Sequence, residues 1–260
     1  MTIDIRDITF SYADETVLDD LNLAVPNGRI TALVGPNGSG KSTLLHVISR
    51  ILAPRTGIVL VDGRNIHQMR TREAARQLSI LPQMPEAPDG LTVEDLVAYG
   101  RFAWQRPLMP LGQGDKDQIA LAIELSGMTH LAKRRLSELS GGQRQRAWIA
   151  MALAQDSAVM LLDEPTTFLD IAHQFEVLSL LRKLNSENAK TIIVVLHDLN
   201  QAAAFSDDLV ILKAGTILGY GPCEDVLTAE IISEAFGINV DFAIDPKTGR
   251  KIIIPRSVIA

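Results

Sequence analysis

The chain has a single cysteine, Cys223, among 260 residues, so an intrachain disulfide is impossible and nothing marks an oxidising compartment. Long apolar runs are missing too. The longest, such as Val159 to Leu162 and Ile192 to Leu196, are strand-length and fall far short of the ~20 residues of a membrane-spanning helix. Residues Met1-Thr2-Ile3-Asp4-Ile5-Arg6 alternate and carry charge from residue 4, a pattern that predicts no signal peptide. Positive charge is in deficit: 25 Lys and Arg against 31 Asp and Glu leave a net charge of −6, which argues against a nucleic-acid binder working through a broad basic face. The short clusters Arg134-Arg135 and Arg144-Gln145-Arg146 read as solvated faces or phosphate neighbours. Internal repeats and low-complexity linkers are lacking as well. What is present, 47% hydrophobic and 22% charged residues, suits a folded cytosolic chain forming one large composite α/β domain.

Residues 2–25 read as short antiparallel strands with a turn at Ala13-Asp14-Glu15, and Pro26-Asn27-Gly28 makes the next turn. Ile30 to Val34 is almost wholly apolar, as in a parallel strand covered on both faces. A helix is predicted from near Lys41 through Ile51, ending ahead of Ala53-Pro54 because proline disfavours helical geometry in the residue before it. Residues 57–83 hold short strands and a basic helix and close on the strand Leu78 to Leu81. From Leu91 to Gln155 the pattern turns helical, with a start at Thr92-Val93-Glu94-Asp95 and a second helix over Asp115 to Ser126 after a loop marked by Pro107, Pro110, Gly112 and Gly114. Strand Val159 to Leu162, a helix from about Ile171 to Leu184, strand Thr191 to Leu196 and a helix from about Leu199 follow. Strands alternating with helices predict a mostly parallel sheet. A hairpin around Ala214-Gly215, a short helical stretch to Phe236 and a strand-like ending complete the chain.

Gly35-Pro36-Asn37-Gly38-Ser39-Gly40-Lys41-Ser42 is a complete phosphate loop between a buried strand and a helix. Its glycines let backbone N–H groups converge on phosphate oxygens, and the helix start, including Thr43, adds its positive end. Lys41 supplies a point charge for the β- and γ-phosphates, and the Ser42 hydroxyl is a Mg²⁺ ligand. Asp163 and Glu164 follow a buried strand at the sheet edge where open α/β folds bind ligands. Strand alternation should point them apart, leaving Asp163 to hold hydrated Mg²⁺ and Glu164 to face the attacking water. An acidic pair standing alone there would more often cap a helix.

His197 follows the apolar strand Thr191 to Leu196 and should emerge at the same edge, able to orient a γ-phosphate; His46, His67, His130 and His173 form no metal cluster with it. Gln83, after another apolar strand, is a candidate Mg²⁺ or water contact. Tyr12 offers a ring to stack on adenine, although a packed hairpin aromatic fits the local pattern nearly as well. Leu139-Ser140-Gly141-Gly142-Gln143 supplies a second anion-binding helix start that one nucleotide does not require. Each motif occurs once, so this turn is expected to reach the γ-phosphate of a nucleotide on a second copy of the chain, in an ATP-dependent dimer with two-fold symmetry.

With these motifs in order, residues 2 to 238 resemble the nucleotide-binding subunits of ABC transporters. The resemblance implies a P-loop NTPase (RecA-like) α/β core with an antiparallel β subdomain and a helical subdomain inserted at about 84–156, followed by a C-terminal extension, 239–260. It implies Tyr12 as the adenine-stacking residue, Gly35 to Ser42 as Walker A, Gln83 as the Q-loop and Leu139 to Gln143 as the signature. Val159 to Asp163 becomes Walker B, Glu164 the catalytic base, Phe168-Leu169-Asp170 the D-loop and His197 the switch histidine. Thr92 to Val97 with Gly100-Arg101, Gln143 to Gln155, Pro165 to Gln174 and Leu196 to Ala202 look like ferric-siderophore importer ATPases, with heme and cobalamin importers as close relatives. After Gly100-Arg101 that subgroup often continues with aromatic-Pro-His, where this chain has Phe102-Ala103-Trp104-Gln105. The implied partners are ATP, Mg²⁺, a second copy, an integral-membrane permease engaged through Gln83 and residues 84–138, and indirectly a substrate-binding protein. The implied place is the cytoplasmic face of the inner membrane. The rival class is a soluble, non-transport ABC ATPase; the lack of a long heptad insertion or a second cassette counts against it.

Overall fold

The computed structural model describes residues 2–106 and 109–259, which divide into two compact units: residues 1–68 with 191–260, and residues 69–190. The first unit opens with β1 (Ile3–Tyr12), β2 (Glu15–Val25), β3 (Ile30–Val34), α1 (Lys41–Ile48), β4 (Thr56–Val61) and β5 (Arg64–Asn65). Residues 69–190 supply α2 (Thr71–Gln77), β6 (Leu78–Leu81), α3 (Val93–Tyr99), α4 (Gln113–Leu125), α5 (Gly141–Ala154), β7 (Val159–Leu162) and α6 (Ile171–Asn188). The chain then completes the first unit with β8 (Thr191–Val195), α7 (Leu199–Phe205), β9 (Asp208–Lys213), β10 (Thr216–Pro222), α8 (Cys223–Val226), α9 (Ala229–Phe236), β11 (Ile238–Ile244) and β12 (Lys251–Val258).

In the first unit β2, β1, β4 and β5 form an antiparallel layer, as the alternating pattern predicts. β3 lies between β8 and β9 and is parallel to both; all five of its residues are buried, which explains why it shows no alternation. β9 and β10 are joined by a two-residue turn in which Ala214 (φ 45°) and Gly215 (φ 81°) are both left-handed, the geometry that matches strand twist in a tight hairpin. The C-terminal residues form a real hairpin, β11 against β12, whose Ile253 exchanges two backbone hydrogen bonds with the Asn200 amide of α7 (2.7 and 3.1 Å).

In the second unit β6 and β7 are parallel neighbours, and α3, α4 and α5 pack on one another. The helical residues expected at 84–156 all fall in this unit, together with β6, β7 and α6. Thr92 caps α3 as its sequence suggests, in a reciprocal box with Asp95. The Thr92 hydroxyl and N–H hold the Asp95 carboxyl below the usual carboxylate range.

Several boundaries move for local reasons. α1 stops at Ile48 rather than Ile51, because Arg50 turns left-handed (φ 67°) and Leu52 donates back six residues to the His46 carbonyl (3.1 Å), closing the helix before Pro54 is reached. α4 starts at Gln113, since Asp115 sits in its first turn and accepts from the Gly112 N–H (3.2 Å). α6 runs on past Leu184 to Asn188. Pro107 of the predicted loop lies outside the described residues.

The Phe102-Ala103-Trp104-Gln105 segment is organised by its neighbours. Arg101 is buried, pairs with Asp115 (2.9 Å) and donates to the Ala154 carbonyl (2.8 Å), while Trp104 donates to the Gln155 carbonyl (2.7 Å) beneath the Arg76 guanidinium. A β-carbon on Gly100 would meet the Met151 carbonyl at 2.2 Å. Arg101→Ala leaves Asp115 and a helix-end carbonyl without their partner, so urea unfolding should report a loss of about 2 to 3 kcal/mol.

Candidate active site

The phosphate loop forms because β3 delivers the chain into a space too small for a side chain. A β-carbon on Gly35 (φ 151°) would lie 2.2 Å from the Leu212 carbonyl of β9, and one on Gly40 (φ 99°) would lie 2.7 Å from Leu18. With Gly40 left-handed as N-cap, no side chain caps α1, so its first-turn N–H groups stay directed at the loop. The buried Lys41 folds back and donates to the Gly35 and Pro36 carbonyls (2.9 Å each), while Ser39 donates its N–H to the Pro36 carbonyl (3.2 Å). Asn37 and Gly38 are exposed, and Pro36, Ser42 and Thr43 are half-buried.

Parallel pairing then brings His197 to this loop. Leu33 is in register with Val195, and Leu196 donates to the Leu33 carbonyl (3.1 Å), so two positions further along each chain come Gly35 on one side and exposed His197 on the other. Asp198 caps α7 through the Gln201 N–H (2.8 Å), which fixes the turn that carries the histidine. Tyr12, at the end of β1, is half exposed and meets Phe10 in a T-shaped pair with centroids 4.8 Å apart.

In the second unit, Asp163 and Glu164 part company for a reason other than strand alternation. β7 ends at Leu162; Asp163 still donates to the Leu81 carbonyl (2.9 Å) and is buried, whereas Glu164 turns left-handed (φ 50°), a conformation costing of order 1 kcal/mol outside glycine. Strain of this kind persists where the surroundings hold it. Here Glu164 accepts hydrogen bonds from the Gln83 amide (2.5 Å) and the Thr167 hydroxyl (3.0 Å). Gln83 therefore touches the acidic residue itself, beyond the Mg²⁺ or water contact that its sequence position suggested, and Thr167 is a site residue that sequence reasoning missed. Its position three residues after Glu164, in the turn before the D-loop, is the signal that was available.

Ser140 is the N-cap of α5: its hydroxyl accepts from the Gln143 N–H (3.3 Å) and its N–H donates to the Gln143 side chain (3.1 Å). Ser140 and Gly141 are exposed, but Gly142 is buried under His173, where a β-carbon would meet the ring at 2.3 Å. His173 is in turn tied to Asp170, which accepts from its N–H (2.9 Å) and bonds its Nδ1 (2.8 Å). The His173 backbone N–H, followed by its ring, holds the Asp170 carboxyl below its usual range. The signature turn and the D-loop aspartate thus meet through His173.

The donor chemistry suits MgATP. Uncapped N–H groups, the Lys41 ammonium and a buried Ser39 hydroxyl with no protein partner fit a polyphosphate. No group of three or more His, Cys, Asp or Glu side chains able to hold a metal occurs among the described residues. Ser42 in the first unit carries a hydroxyl, and Gln83 and Asp163 in the second carry an amide oxygen and a buried carboxylate, each an oxygen donor of the kind magnesium accepts.

Residues 18–167 match the ABC transporter family. The chain is 48% identical to the iron(3+)-hydroxamate import ATP-binding protein FhuC of Bacillus subtilis (strain 168), covering 95% of this chain and 92% of that one. It is 45% identical to the petrobactin import ATP-binding protein FpuD of Bacillus anthracis, over 97% and 93%. Among solved structures, a chain of an ABC transporter in an inward-facing conformation superposes with a TM-score of 0.86 at 30% identity, covering 98% of both chains. The cassette MJ0796, in a dimeric post-hydrolysis state bound to ADP and Pi, gives 0.73 at 28% identity over 85% of this chain and 98% of that one. Motifs, fold and relatives agree: the chain belongs to the ABC transporter family, as an ABC-type ATPase.

Proposed function

We propose that this ATPase powers import of an iron chelate of the siderophore type through a membrane permease. The observation that carries the reading is the 48% identity, along nearly the whole chain, to a subunit whose name is iron(3+)-hydroxamate import. Two copies meet head to tail, each phosphate loop facing the other copy's signature turn. Support comes from the single copy of each motif, from the exposed Ser140 and Gly141 at the start of α5, and from the dimeric state of the neighbour MJ0796. No described helix is long and apolar enough to cross a membrane, so membrane contact is assigned to the permease, at the cytoplasmic face of the inner membrane. Exposed Met84, Tyr99 and Phe102 supply apolar surface for that contact in the segment after Gln83. A substrate-binding protein acts on the permease's far side and selects the cargo with it.

In the proposed reaction, the N–H groups of the loop and of α1, together with Lys41, hold the β- and γ-phosphates, and Tyr12 stacks on the adenine. Ser42, Gln83 and Asp163 would hold Mg²⁺, which would supply positive charge to the phosphate oxygens. The Glu164 carboxylate takes a proton from water as the water oxygen bonds to the γ-phosphorus; the bond to the bridging oxygen breaks, and its electron pair leaves with ADP. His197 donates to the γ-phosphate, and the partner copy's signature turn closes the other side. The Gln83 bond to Glu164 ties the general base to the segment that faces the permease, so movement there frees or restrains the carboxylate.

Four measurements test this. Glu164→Gln should bind ATP normally yet lose about 10²- to 10⁴-fold in kcat, the share that a positioned base contributes. Lys41→Ala removes a charge-assisted contact and should weaken ATP binding about tenfold or more by titration calorimetry. Gly142→Ala should stop turnover while leaving monomer affinity for ATP intact, because the added methyl displaces His173 from the signature turn. Uptake of a radiolabelled ferric hydroxamate should disappear from cells lacking this subunit; uptake at the normal rate would dismiss the cargo while leaving the ATPase untouched.

A further inference from the structure

A cavity of about 170 Å³ lies in the first unit at the end of the strands away from the phosphate loop. Its walls come from the start of β9, the end of α7, the start of α8 and the first residues of β12. Arg29, Arg250 and Lys251 line it together with Asp207 and Glu224, and of the three cations Arg250 and Lys251 make no ion pair among the described residues. Arg250 donates only to the Ala203 and Ala204 carbonyls at the end of α7, and the Lys251 ammonium donates to the Glu224 and Leu227 carbonyls (2.8 and 2.9 Å). Lys251 also lies 5.4 Å from the Phe242 ring, and the other charged groups are engaged differently. Arg29 is held bidentately by Asp208 (2.6 and 2.8 Å), Asp207 accepts from the Ile30 N–H (2.9 Å), and Glu224 is exposed at the rim.

The wall also includes a residue whose hydroxyl has no protein partner. Ser206 is 2% exposed and lines the wall, and its hydroxyl makes no hydrogen bond within the protein, an arrangement that costs about 1 to 3 kcal/mol when nothing answers it. Beside it the Cys223 thiol donates to the Ser206 carbonyl (3.5 Å). Burial pushes that thiol up to about 11, so it stays neutral and adds no negative charge.

We propose that this cavity is a binding site for a small oxyanion, phosphate or carboxylate, held by Arg250, Lys251 and the Ser206 hydroxyl. The volume exceeds that of engineered cavities that admit benzene, so a tetrahedral oxyanion or a short carboxylate fits. The site gives the C-terminal extension a task, since Arg250 and Lys251 both belong to it. It is separate from the nucleotide loop: β3 and β9 run side by side from Arg29 and Asp208 at the cavity to Gly35 and Leu212 at the loop, about 13 Å of strand along β9.

Cys223 is the only thiol in the chain and lines the cavity, so it reports on occupancy. The intact protein would be treated with methyl methanethiosulfonate across a series of inorganic phosphate concentrations, and separately of acetate, at constant ionic strength. We expect saturable slowing of Cys223 modification, reaching about fivefold when the anion is at four times its Kd. Whichever anion protects at lower concentration identifies the source. Ser206→Ala should weaken protection at least threefold with the anion-free labelling rate unchanged, and Arg250→Gln should remove it. Lys41→Ala, with its nucleotide loop impaired, should retain it. The proposal is overturned if neither anion protects, if protection is the same in both cavity variants as in wild type, or if it vanishes in Lys41→Ala, which would put the phosphate on the nucleotide loop.

Discussion

Everything at the phosphate end of this molecule depends on the close approach of two backbones, Gly35 against the Leu212 carbonyl of β9. At 2.2 Å from that oxygen no β-carbon is admitted, so the chain can leave β3 in a left-handed turn only as glycine. That turn lets Lys41 reach back to two loop carbonyls and leaves the first N–H groups of α1 without a side-chain cap. β3 is buried along its whole length, which anchors the loop in the core of the unit, and the β3 to β8 register places His197 beside it. A phosphate cradle of this kind is preorganised: its dipoles are already oriented before the charge arrives.

The second unit solves a different problem. Here the acidic pair is separated by a left-handed glutamate rather than by strand alternation, and the strain in Glu164 is maintained by the Gln83 amide and the Thr167 hydroxyl. The Gln83 bond joins Glu164, the proposed general base, to the segment proposed to face the permease. A similar economy appears at the signature, where His173 fills the space over Gly142 and grips Asp170, so that the signature turn and the D-loop form one packed element.

The helical region between Gln83 and the signature is held by interactions unrelated to catalysis. Arg101, nearly buried, draws together the start of α4 and the end of α5, and Trp104 seals the same corner. The departure of residues 102–105 from the siderophore-importer pattern is thus accommodated within the packing of the helices, with only Phe102 left largely exposed.

Sequence by itself determined the phosphate loop, the acidic strand end, the signature cap and the Thr92 cap, because each depends on residues within a few positions of one another. It also foretold the apolar strands, since complete burial erases alternation. Helix ends were less legible: a left-handed Arg50 closes α1 ahead of Pro54, and nothing in the residue type announces that conformation. Only the tertiary structure decided that Gln83 bonds Glu164 from 81 positions away, that His173 sits on Gly142, and that Arg250, Lys251 and Ser206 line one cavity. Such pairings are set by how strands and helices pack, and packing brings together side chains whose separation along the chain carries no local signal.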